Sequence, residues 1–130
     1  MKKYVGASVA VLLLLTCGGV LADQDKSEKI AIAASGRLPT ASVSGQPGRA
    51  PYFLFFDTQG RFVEAVGNPY KDAGGAGISA VDFLAGKGVT VLVAESYGPR
   101  IVEVMQGKGI RAVTFTGTAA DAVKKLVSAK

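Results

Sequence analysis

The chain's 130 residues suffice for one domain, and with 48% of them apolar it can bury a core. It has no His, no Trp and one Cys, which excludes imidazole and thiolate ligand sets, Cys/His catalysis and a Ser-His-Asp triad from the folded part. The formal charge is +5, and +3 once Lys2 and Lys3 are set aside; the charges are scattered without a basic stripe or acidic tail, so nucleic acid is not an expected partner.

In chain order, Lys2 and Lys3 precede an uncharged run from Tyr4 to Ala22 whose centre is Val9 to Leu15. Small side chains at Val20 and Ala22, followed by Asp23, complete the pattern of a signal peptide spanning residues 1–22. The favoured reading is cleavage after Ala22 and export to the periplasm or beyond. The rivals are a lipoprotein site at Leu15-Thr16-Cys17-Gly18, which would lipidate Cys17, and an uncleaved anchor. Membrane contact is expected only through this segment or a lipidated Cys17.

Residues 23–29 are charged and read as a linker, and the domain occupies 30–130. Ile30 to Ala34 reads as a buried strand ended by Ser35-Gly36, and Pro39 to Pro51 as a Gly/Ser/Pro-rich loop. Tyr52 to Asp57 is apolar on both faces and is expected to be central in a sheet. A turn at Thr58-Gln59-Gly60 leads into a returning strand, Phe62 to Val66. Gly74, Gly75 and Gly77 open a helix over about 79–85, with Ser79 and Asp82 at capping-box spacing. Val89 to Ala94 is a β-branched strand. Pro99 stands in the first turn of a second helix striped by Ile101, Val104 and Met105. Arg111 to Phe115 is a strand, and Thr118 caps a last helix. The succession implies an α/β fold: a mixed five-stranded sheet, ribonuclease-H-like, flanked by helices.

Ligands of such sheets sit at the carboxyl ends of the parallel strands. Four features converge there: Ser35-Gly36; the loop carrying Gln46, Gly48 and Arg49; the glycines 74, 75 and 77; and Glu95 to Gly98. The glycines would leave amide donors open at a helix N-terminus, a seat for an anion, although they serve equally as a flexible helix entrance. Arg49 would meet an anion or lie solvated; Glu95 would act as a ligand or acid, or as a cap. A two-metal nuclease would need clustered carboxylates. Only Asp57 and Glu95 stand at plausible strand ends, and since Asp57 falls where the hairpin turns, an arrangement at opposite ends of the sheet would keep them apart.

Val43 to Phe53 with its Ser44-Gly45-Gln46-Pro47-Gly48-Arg49 core, Asn68-Pro69, Gly74-Gly75-Ala76-Gly77-Ile78, Gly88-Val89, Tyr97-Gly98-Pro99, Gly109-Ile110 and Gly117-Thr118 together resemble the dinitrogenase iron–molybdenum cofactor biosynthesis family. The resemblance runs over about residues 28–127. It implies a carrier of iron–sulfur or molybdenum-containing clusters that is not an enzyme. The convergence at the strand ends makes Ser35, Gly36, Gln46, Gly48, Arg49, Gly74, Gly75, Gly77, Glu95 and Gly98 the candidate binding residues. No metal ligand is expected. Where the family usually has His-Phe-Gly, this chain has Gln46-Pro47-Gly48, an amide that is a poor partner for a soft metal. The expectation is a binder of a metal cluster or small anion that hands on to a partner protein. The alternative is a structural or protein-interaction module that has lost the cluster.

Overall fold

The computed structural model describes residues 28–128. The expected signal peptide, its cleavage point, Cys17 and most of the linker lie outside the described residues. No helix among those residues is long and apolar enough to cross a membrane.

Five strands, β1 (Ile30–Ala34), β2 (Tyr52–Phe56), β3 (Phe62–Gly67), β4 (Val91–Ala94) and β5 (Arg111–Thr114), form one sheet in the order β3-β2-β1-β4-β5. The helices are α1 (Ala76–Gly86), α2 (Pro99–Gly107) and α3 (Ala119–Ser128). β1–β2 and β2–β3 pair antiparallel, β1–β4 and β4–β5 parallel, as the helix-linked second half requires. This is the mixed, ribonuclease-H-like sheet that the succession of elements predicts.

Alternation along β1, β2 and β4 builds two cores. Ala31, Ala33, Phe53, Phe55 and Leu92 face α1 and α2, meeting Ala80, Val81, Leu84 and Met105. Ile30, Ile32, Leu54, Phe56, Val91 and Val93 face α3, meeting Ala119, Ala122 and Val123. The three strands are covered on both sides, which is why their sequences are apolar at every position. Phe83 extends the first core toward the edge, with ring centroids 6.5 Å from Phe53 and 6.0 Å from Tyr70.

The structure departs from the sequence expectation at three places around the helix entrance and the long loop. α1 begins at Ala76, because Gly75 takes φ 69° and turns the chain into the helix one residue before it. No side chain caps that end, so the capping box expected at Ser79 and Asp82 does not form; the Ser79 amide donates to Gly75 O instead. β4 begins at Val91, because the amides of Val89 and Thr90 are taken by Leu84 O and Lys29 O. The 39–51 loop is more ordered than its composition suggests: it contains a 3-10 turn at Pro47–Arg49, and its 43–45 stretch pairs with the sheet.

At the β2–β3 turn, Asp57 Oδ1 accepts the amides of Gln59 and Arg61 while Oδ2 meets Arg61 Nε at 2.9 Å. Those bonds, first among them the Arg61 amide, hold the Asp57 carboxyl below the ordinary carboxylate range. The register slips between Phe55 and Phe56, pairing them with Glu64 and Phe62, so Val63 is bulged out of the ladder. Thr118 caps α3 as expected, its Oγ1 accepting the Asp121 amide.

Candidate functional site

The carboxyl ends of β1 and β4 part where the strand order changes direction, the usual place for a ligand. Here main chain fills that crevice. Ser44 donates to Ala33 O on one side, and the Glu95 and Ser96 amides donate to Ser44 O and Gly45 O on the other. Ser96 Oγ adds a second bond to Gly45 O. The wedge moves the open space to the α1/α2 face, beneath the 3-10 turn.

A cavity of about 290 Å³ lies there. Gln46, Gly48 and Arg49 line it from the loop, Gly75 and Gly77 from the start of α1, and Gly98 from the start of α2. Six of the ten residues singled out in the sequence therefore meet around one space. Pro47, Ala76 and Ile101 complete the wall. Pro47 and Ala76 lay inside the quoted motifs without being chosen, and Ile101 was read only as part of a helix stripe.

The other four stand elsewhere. Ser35 and Gly36 turn toward the α3 side, where Ser35 N donates to Ser42 O and Ser42 bridges to Thr118. Gly74 does not line the cavity. Glu95 is exposed and lies against Gly45, with 3.8 Å between its Oε1 and the place where a Gly45 Cβ would be. The strand ends converge in topology, but Glu95 pairs with the 43–45 wedge and does not line the cavity. Asp57 lies at the hairpin turn, at the opposite end of the sheet from Glu95, and no group of three His, Cys, Asp or Glu gathers among the described residues.

Three contacts set the cavity's shape. The 3-10 turn presses onto α1 so closely that a Cβ at Gly48 would stand 2.5 Å from Gly77 N. Ile101 packs onto Gly77 in the same way from α2, and a Cβ there would collide with its Cδ1. Asn68, the buried polar residue of the core, donates through Nδ2 to Gly48 O at 3.0 Å and to Ala50 O at 2.9 Å, while its Oδ1 accepts the Tyr70 amide. In the sequence Asn68 stands out only as part of the Asn68-Pro69 motif; its role depends on carbonyls eighteen and twenty residues away.

Arg49 has a different employment from the one its charge suggests. Its Nη1 donates to Lys71 O at 2.8 Å and Ala73 O at 3.2 Å, tying the 3-10 turn to the chain that enters α1. Main chain adds polarity of its own at the start of α1: first-turn amides of an α-helix have no acceptor within the helix, and no side chain caps α1. α2 begins on Pro99, which removes one such donor from its own end. Nearby, the Tyr97 hydroxyl is within 2.7 Å of Leu92 O and 2.8 Å of Val113 O, fixing the 95–98 loop over β4 and β5. Burial pushes its ionisation above the ordinary tyrosine range.

The dinitrogenase iron-molybdenum cofactor family matches residues 28–129. The chain belongs to that family. Among solved structures, the apo orange protein of Desulfovibrio gigas is 29% identical, with a TM-score of 0.72 over 78% of this chain and 88% of that one. A Thermotoga protein provisionally described as a NifB protein is 31% identical, with a TM-score of 0.65 over 78% and 88% of the two chains. A Methanocaldococcus jannaschii protein described as a dinitrogenase, 14% identical with a TM-score of 0.56 over 79% and 90%, shares the fold. No functionally curated protein matches. The family is associated with binding or carrying the iron–molybdenum cofactor and related metal clusters.

Proposed function

We propose that this protein is an exported, non-catalytic carrier that holds an iron–sulfur or molybdenum-containing cluster, or a small anion of like charge, and passes it to a partner protein. The observation that carries this reading is the cavity at the uncapped start of α1, which offers main-chain donors and neither thiolate nor imidazole. Direct ligation of iron would need a soft or imidazole donor, and the residues of the cavity supply none. A cargo whose outer atoms are anionic sulfide or oxygen would instead be held from outside, by amides and the helix end. Pro47, Ala76 and Ile101 give it an apolar wall, and the Arg49 tether keeps the turn and the helix start together. Such a hold is weak and reversible, which suits transfer. The absence of His and of any Cys beyond Cys17 favours a rival, a module that kept the fold and lost its cargo.

The test is uptake by the purified chain of tetrathiomolybdate and, separately, of iron and sulfide under reconstitution, followed by visible absorption and metal analysis. The expected result is a stoichiometric chromophore that disappears in Gly98→Asp. Gly98 has φ −73°, so the variant is unstrained, and its carboxylate would cap α2 and bring a like charge to the cavity. Gly98→Asn controls for size. No uptake by the unaltered chain, or equal uptake by Gly98→Asp, would select the interaction module. Mass spectrometry of the mature N-terminus tests export, reading cleavage after Ala22 against lipidation of Cys17.

A further inference from the structure

Among the described residues, the sheet has two helices on one face and one on the other, and the single helix leaves part of its face uncovered by them. Between α3 and the β2–β3 hairpin runs an apolar groove of about 500 Å³, on the opposite face of the sheet from the cavity above. Its walls are Pro39, Phe56, Phe62, Val123 and Val127. Phe62 stays 42% exposed although its ring lies 5.5 Å from that of Phe56. The hairpin tip leans on the helix, with 3.2 Å between Val127 Cγ2 and the place of a Gly60 Cβ. The groove is thus held open by packed elements, in the volume range of about 300–1,000 Å³ typical of small-molecule sites.

Among the described residues, Lys124 is the one charged residue on its wall. It is exposed and makes no ion pair or hydrogen bond among the described residues, whereas Lys71 and Lys108 are both paired with carboxylates. The geometry points to a second binding site, for a single-chain amphiphile with an anionic head: the acyl chain lies along Phe56, Phe62, Val123 and Val127, and a carboxylate meets the Lys124 ammonium. Burial of the chain supplies the affinity and the lysine selects the head group.

Amide chemical shifts of the full-length chain, titrated with decanoate, dodecanoate and 1-dodecanol below their aggregation limits, test this. Shifts are expected at Gly60, Phe62, Lys124 and Val127, and not at Gly48 or Gly77. Dodecanoate should bind more tightly than decanoate, by up to about fourfold per added methylene. Lys124→Gln should weaken dodecanoate by up to about fivefold, the range of an exposed ion pair, and leave 1-dodecanol unchanged. Dodecanoate affinity unchanged by Lys124→Gln, shifts confined to other surfaces, or shifts at these amides that follow dilution of the protein alone, meaning a second copy fills the groove, would each overturn the assignment.

Discussion

Asn68 shows how one buried amide can govern a site it does not line. Its Nδ2 closes two carbonyls of the chain around the 3-10 turn, and its Oδ1 takes an amide of the segment that leads to α1. Both halves of the cavity are therefore referred to one side chain. Asn68→Ala would strand Gly48 O and Ala50 O, and the expected cost is about 1–3 kcal/mol. Urea unfolding checks it, as a lower midpoint with unchanged slope. Asn68→Asp should be worse, since a carboxylate in that place faces two carbonyls with no proton to offer. The sequence carries a trace of this role: an Asn before Pro beyond a strand reads as a turn. Nothing local says that its partners lie near residue 50.

At the scale of elements, the β2–β3 hairpin and the 3-10 turn are set by different forces. The hairpin is fixed locally. Asp57 receives three bonds from the next four residues, and its lowered carboxyl ties turn stability to pH. A carboxyl whose folded pKa lies below its unfolded value stabilises the fold above the ordinary range, near pH 4, and this contribution vanishes as pH falls through the folded value. Acid titration should therefore release the turn, seen as falling protection of the Gln59 and Arg61 amides once exchange is divided by its intrinsic rate at each pH. In Asp57→Asn that acid-dependent step should be absent, with protection of these amides already reduced at neutral pH. The 3-10 turn, by contrast, is set by distant partners: Asn68, the Arg49 bonds to Lys71 O and Ala73 O, and the backbone approach of Gly48 to Gly77. Hence the turn at 58–60 was legible from its residues, while Pro39 to Pro51 read only as a loop.

Over the whole molecule, β1, β2 and β4 contribute alternate side chains to both cores, so neither helical layer can melt without exposing the other's strands. Unfolding should be a single transition. Far-UV circular dichroism and tyrosine fluorescence, with Tyr97 reporting on the α1/α2 side, should give coincident denaturation curves; separated midpoints would show that the layers fold independently. The same layering keeps the amide-lined cavity and the apolar groove on opposite faces of the sheet.

What the chain's own order settled is the architecture. Apolar runs without alternation marked the covered strands, glycines and prolines marked the turns, and the position of the helices forced the later strands parallel, because periodicity and connection length act locally. The gathering of Gln46, Gly48, Arg49, Gly75, Gly77 and Gly98 followed from that order as well, through the rule that loops after parallel strands share an end. Only the folded chain decided that residues 43–45 would occupy the crevice between β1 and β4, that Glu95 and Ser35 would fall outside the α1/α2-face cavity, and that the Arg49 guanidinium would be spent on main-chain carbonyls. Those outcomes depend on competition among backbone donors and acceptors far apart in sequence, which no local pattern records.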